Sequence, residues 1–160
     1  MKGKVIILMG SEKDLDFCQK IAKYLELFGV NYEFRVASAH KSPEQALKII
    51  KDFEEKKIVY ITVAGRSNAL SAFVDANTKN PVIACPPISE KFGGADIFSS
   101  LRVPSGIGSL VTIEPEGAAI AAAKIFALED EQIRELVRKH QLATRETLAH
   151  ANDKISRMNT

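Results

Sequence analysis

Three short segments of this chain carry side chains that hold anions or move protons, each directly after a run of apolar residues. The richest is Ser38-Ala39-His40-Lys41-Ser42-Pro43, where an imidazole able to exchange protons near neutral pH stands close to a hydroxyl and a cation. A second is Met9-Gly10-Ser11-Glu12-Lys13-Asp14. Its glycine lets a ligand approach the backbone, Ser11 can donate to a phosphate, and Asp14 suits either a helix cap or the hydroxyls of a ribose. The third, Ala64-Gly65-Arg66-Ser67-Asn68, joins a glycine to a hydroxyl and to a guanidinium, which binds phosphate or carboxylate through two bonds. Each segment also has a plain reading: His40 bonding locally, Asp14 and Ser67 capping helices.

Other chemistries find no support. The Gly10 turn lacks the further glycines of a dinucleotide fingerprint and the Lys-Ser/Thr ending of a Walker loop. No nucleophile elbow or His-Glu-x-x-His stands out, and Cys18 and Cys85 are far apart with no second ligand nearby. His140 and His150 fall in the terminal helical segment, where surface or interface packing suits them better than metal binding. What is left is acid-base chemistry on a phosphorylated metabolite.

The elements that must position these residues alternate between strand-length apolar runs and segments of helical period, the pattern of βαβ units around a parallel sheet. Strands are expected at Val5 to Met9, at Tyr32, Phe34 and Val36, at Ile58 to Val63, at Pro81 to Ala84 and at Leu110 to Ile113. Leu15, Cys18, Ile21, Ala22, Leu25 and Phe28 recur at helical spacing, and Gly29 stops that helix. Pro43 opens a second helix through Ala46, Leu47, Ile50 and Phe53, and Ala69 to Ala76 suits a short third. Ser89 to Ser109 reads as a long functional loop containing a short helix; its Gly93-Gly94 pair suits a lid, a close approach to ligand or an ordinary surface loop. The alanine-rich run Gly117 to Leu128 predicts a tightly packed helix. A charged amphipathic helix follows from Asp130 to about Ser156, too long for this core to cover, so it is expected to lie partly on another subunit or to stand exposed.

Bulk properties agree. The 160 residues, 46% of them hydrophobic, suit one domain spanning 1–160, with a core over about 1–128 and a helical segment over about 130–156. With 22 Lys and Arg against 20 Asp and Glu, nothing points to nucleic acid. No stretch reaches the ~20 apolar residues of a membrane span. Cys18 and Cys85, far apart, signal no disulfide framework, so a reducing, cytoplasmic setting is expected, and the apolar run Val5 to Met9 is shorter than a signal peptide needs.

In the strand ending Met9-Gly10-Ser11 with Asp14, in Ser38-Ala39-His40-Lys41-Ser42-Pro43 and in the Gly65 turn, the chain resembles the phosphoribosylaminoimidazole carboxylase family over essentially its whole length. The resemblance implies an α/β, flavodoxin-like three-layer αβα sandwich. It also implies a homo-oligomer, tetramer or octamer, with sites at subunit boundaries, and neither metal nor organic cofactor. By position, His40 would transfer the proton and Ser11, Asp14, Ser38 and Lys41 would hold ribose and phosphate; the turns themselves add Gly10, Ala39, Gly65, Arg66 and Ser67 as expected substrate-binding residues. Arg66 or the Ser67 turn could also meet the nascent carboxylate.

Within that family one branch carboxylates aminoimidazole ribonucleotide directly with carbon dioxide, and the other is a mutase acting on N5-carboxyaminoimidazole ribonucleotide. The mutase carries Ala-Gly-Ala-Gly-Gly-Ala-Ala-His-Leu-Pro-Gly at the third turn and usually arginine after its histidine. Here Ala64-Gly65-Arg66-Ser67-Asn68-Ala69-Leu70-Ser71 and Lys41 stand instead, which looks like the carbon dioxide-using branch. The mutase is the alternative. A flavodoxin-like binding module is a remoter one: no aromatic residue lies in the three turns to stack on a flavin, and no acidic cluster ends the first strand.

Overall fold

The computed structural model describes residues 3–108 and 110–159. Met1, Lys2, Thr160 and Ser109, the expected end of the long loop, lie outside the described residues. Five parallel strands, β1 (Lys4–Met9), β2 (Asn31–Val36), β3 (Ile58–Val63), β4 (Val82–Ala84) and β5 (Leu110–Val111), form one sheet in the order β2-β1-β3-β4-β5. The even beat of β1 divides the core. Val5, Ile7 and Met9 face one layer and Ile6 and Leu8 the other, all at most 1% exposed, so both faces of the sheet must be covered.

On the first face lie α1 (Leu15–Leu27), α5 (Pro115–Phe126) and the start of α6 (Glu131–Ser156). Ala118, Ala119, Ala122 and Ala123 are fully buried, and these small side chains bring α5 close against α1. On the second face lie α2 (Pro43–Phe53), through Ala46, Ile49, Ile50 and Phe53, and α3 (Leu70–Asp75), through Leu70 and Val74. The result is the expected three-layer sandwich. Gly29, at φ 65°, ends α1 in the left-handed conformation, while the Val30 amide donates to the Leu25 carbonyl at 3.1 Å.

Three expectations need adjustment. β2 is an edge strand and less apolar than its alternation suggests: Tyr32 and Phe34 pack on the first face, but Val36 is 49% exposed and Glu33 pairs with Lys4 and Arg35 on the other. β5 ends at Val111 rather than Ile113, although the Thr112 amide still donates to Ala84 at 3.0 Å. α5 begins at Pro115, because proline suits a first helical position whose amide has no partner to lose. Among the described residues no helix is long and apolar enough to cross a membrane.

Candidate active site at the carboxyl edge of the sheet

In an open parallel sheet, ligands bind beyond the carboxyl ends of the strands where the strand order reverses, here between β1 and β3. Met9 is in register with Val36 on one side and Val63 on the other, so the turns after β1, β2 and β3 leave the sheet side by side. Backbone bonds tie them together. The Gly10 amide donates to the Val63 carbonyl at 2.8 Å and the Ala37 amide to the Met9 carbonyl at 3.0 Å.

The Ser38–Ser42 turn is closed by its own two serines. Ser42 N–H donates to the Ser38 carbonyl at 2.9 Å, Ser42 Oγ accepts from Ser38 N–H at 3.0 Å, and Ser38 Oγ accepts from Lys41 N–H at 3.2 Å. This lifts Ala39, His40 and Lys41 to the tip, with His40 and Lys41 exposed. His40 caps nothing: α2 has Ser42 at its cap position, and that hydroxyl is turned back to Ser38. Among the described residues no side-chain bond holds the imidazole or the Lys41 ammonium.

The β1 turn separates two roles that the sequence leaves open. Ser11 caps the short 3-10 turn Glu12–Asp14 by accepting from Lys13 N–H at 3.3 Å. Asp14 occupies the cap position of α1, yet its carboxylate makes no capping bond. It is half-buried with no hydrogen-bond or ion-pair partner among the described residues, and that burial raises its pKa above the usual carboxylate value.

After β3, Gly65 is needed because a Cβ there would sit 3.0 Å from the Pro87 carbonyl oxygen and 3.4 Å from the Pro87 ring. Arg66 follows in the left-handed conformation at φ 61°, exposed, its guanidinium unpaired among the described residues. Ser67 is exposed and does not cap α3. The buried Asn68 does so, its Oδ1 accepting from Ser71 N–H at 3.2 Å. Residue composition alone did not single out Asn68; its cap signature, Asn three residues before Ser71, was the available signal.

The segment after β4 is anchored rather than free. Its 3-10 turns Glu90–Phe92 and Ala95–Ile97 lead into α4 (Phe98–Leu101). Asp96 Oδ2 accepts from Ser89 N–H at 3.0 Å, and Gly108 N–H donates to Asp75 at 2.8 Å. Grooves of about 560 and 450 Å³ lie on this edge. The first is lined by Lys41 to Gln45 and Lys48, the second by Ser67, Asn68, Ala72, Ser99, Arg102 and Pro104 among others; Gly10 and His40 line neither.

Elsewhere, His140 packs edge-on to Phe28 at 5.3 Å with Nε2 3.3 Å from Glu116, while His150 is exposed. Cys18 and Cys85 are buried free thiols, each pushed up to about 12, chiefly by burial.

The fold and site define a class: a flavodoxin-like α/β sandwich whose carboxyl edge carries a carboxylate after β1, an imidazole and an ammonium after β2 and a guanidinium after β3. The sequence profile of the AIR carboxylase family matches residues 4–147, and the chain belongs to that family. It is 55% identical over 152 residues to the phosphoribosylaminoimidazole carboxylase of Archaeoglobus fulgidus, covering 95% of this chain and 84% of the relative. Against the phosphoribosylaminoimidazole carboxylase of Treponema denticola the identity is 45%, over 98% of this chain and the whole of the relative. The crystal structure of Treponema denticola PurE superimposes with a TM-score of 0.93, covering 96% of this chain and 98% of that one.

Proposed function

We infer that this protein is an aminoimidazole ribonucleotide carboxylase, reversibly joining carbon dioxide to ring carbon 4 of 5-aminoimidazole ribonucleotide in purine synthesis. The observation that carries the reading is the Ser38–Ser42 turn, which holds an unengaged His40 at its tip beside the Gly10 and Gly65 turns, in a chain of this family. The exocyclic amine pushes electron density onto carbon 4, so that carbon attacks carbon dioxide held against the ring. One C–C bond forms and one C=O π bond opens into a carboxylate. Carbon 4 then still bears its hydrogen. His40 takes that proton as general base, and the C–H electrons restore aromaticity; decarboxylation runs the same steps backwards.

Positioning supplies much of the rate, up to ~7 to 11 kcal/mol for well-oriented partners. Ser11, Ser38, Ala39 and Lys41 hold the ribonucleotide with Gly10 and Gly65 beneath it, Asp14 accepts from the ribose, and Arg66 with Ser67 meets an anionic group of substrate or product. The working form is a homo-oligomer in the cytoplasm. In one copy the site is an open shelf, which accords with a neighbour contributing its missing wall.

Mixing the protein with aminoimidazole ribonucleotide and bicarbonate, without ATP, tests the reaction: rapid formation of the 4-carboxylate supports it, and turnover of only the N5-carboxylated substrate assigns the mutase. His40→Asn keeps ligand binding and loses about 10²-fold or more in kcat, the scale of a missing general base. Near-normal turnover removes His40 from the mechanism. Lys41→Ala raises KM by about tenfold through loss of a charge-assisted bond; an unchanged KM returns Lys41 to the solvated surface.

A further inference from the structure

Arg66 is the one non-glycine residue with positive φ among the described residues. A long, unbranched side chain in the left-handed region persists only where its surroundings hold it there. The surroundings come from a distant part of the chain. Ser99, in α4, donates from Oγ to the Arg66 carbonyl at 3.0 Å, sharing that proton with the Asp96 carbonyl at 2.8 Å, and accepts from Asn68 N–H at 2.9 Å. One hydroxyl therefore fastens the turn on both sides of Ser67. Asn68, 2% exposed, adds a second tie through Nδ2 to Ser100 Oγ at 2.9 Å, with Ser100 itself 1% exposed.

These bonds fix only the backbone. They leave the Arg66 guanidinium exposed and, among the described residues, unpaired. A backbone fixed in this way sets the direction in which the Arg66 side chain leaves the turn before any ligand arrives.

We propose that Ser99 and Asn68 are positioning residues of the active site, acting through Arg66: α4 holds the turn after β3 in the left-handed conformation that presents the guanidinium to an anionic group of the substrate. The inference rests on the reading of the carboxyl edge as the substrate site. It adds a specific job for the segment after β4, which braces the site instead of opening and closing over it.

A double-mutant cycle on the full-length protein tests this, with carboxylation of aminoimidazole ribonucleotide as the assay. Arg66→Gly removes the guanidinium and accepts positive φ freely; it lowers kcat/KM by about 10- to 100-fold, the scale of a charge-assisted hydrogen bond. Ser99→Ala lowers the same parameter by about tenfold, divided between kcat and KM as in Arg66→Gly. The decisive arm is the double variant. With no guanidinium left to position, adding Ser99→Ala to Arg66→Gly produces no further loss.

Multiplying losses in the double variant overturn the proposal, because Ser99 then acts elsewhere. An unaffected Arg66→Gly overturns it as well. If Ser99→Ala alone does not fold, Arg66→Gly and the double variant still decide the matter, since glycine relieves the backbone cost and both are expected to fold with equal kinetics. An inactive parent protein would instead count against the carboxylase reading itself, which keeps the two failures distinguishable.

Discussion

A carboxylate held partly out of water with no partner opposes folding when it is ionised, and Asp14 is in that position. Its folded pKa is raised above its unfolded value, so the penalty is absent at low pH, sets in as pH rises through the unfolded value of 3.8, and is complete above the folded pKa. Asp14→Asn therefore raises the Tm of the ligand-free protein near neutral pH, and this advantage shrinks as the pH is lowered toward 4. The same substitution raises KM for the ribonucleotide by about tenfold, because an amide is a weaker acceptor for ribose hydroxyls. Melts across pH together with steady-state kinetics check both halves; a Tm and KM that do not move would return Asp14 to a passive place at the start of α1. Cys18 and Cys85 make the opposite case. Thiols pushed up to about 12 by burial carry almost no thiolate at neutral pH, so the folded protein resists iodoacetamide and the urea-unfolded protein takes up two labels, as counted by mass spectrometry.

Turns between elements are where close packing is least forgiving. At Gly65 the neighbour is the backbone carbonyl of Pro87, which cannot rotate away as a flexible side chain would. Gly65→Ala is expected to destabilise by about 1–3 kcal/mol as the β3 and β4 turns are forced apart. Gly108, where an added Cβ meets nothing within 4 Å, is the control; Gly108→Ala stays within about 0.5 kcal/mol by urea denaturation. The same contrast explains what the sequence made legible. Run length and punctuation identified the buried strands and the helices of both layers: the unbroken apolar run Val5 to Met9 records a strand covered on both faces, and the spacing of Leu15 to Phe28 records the one face of its helix that is covered. The edge strand was legible only in part: Phe34 and Val36 read as alike, yet only one of them has a neighbour above it. The site turns stood out because His40, Lys41, Arg66 and Asp14 are costly or idle as scaffolding. Asn68 carried only a local cap signature, and the ties that Ser99 makes to Asn68 and Arg66 span 31 and 33 residues of sequence, contacts that no local pattern records.

For the molecule as a whole, α6 poses a problem that one chain does not solve. Ile133, Val137 and His140 lie along one stripe of this helix and are covered by the layer of α1 and α5, with Ile133 and Val137 at 3% and 7% exposure. The stripe continues at the same spacing of three and four through Thr144, Leu148, Ala151 and Ile155, but here it runs past the end of its own core. Leu148 is 66% and Ile155 61% exposed. A helix that keeps its apolar register for about three more turns than its chain can cover is built to be covered by something else, and in the homo-oligomer proposed above that is a second copy. Burying each side chain is worth about 1.5–3 kcal/mol at an interface that repeats with the symmetry. Leu148→Asp combined with Ile155→Asp is therefore expected to lower the mass measured by light scattering to that of a smaller assembly. Helix content by circular dichroism stays unchanged, because neither residue packs in the core of its own chain. If a neighbouring copy also supplies the missing wall of the site, kcat/KM falls in step with the mass as the protein is diluted. An unaltered mass would mean that the stripe faces water in the working protein.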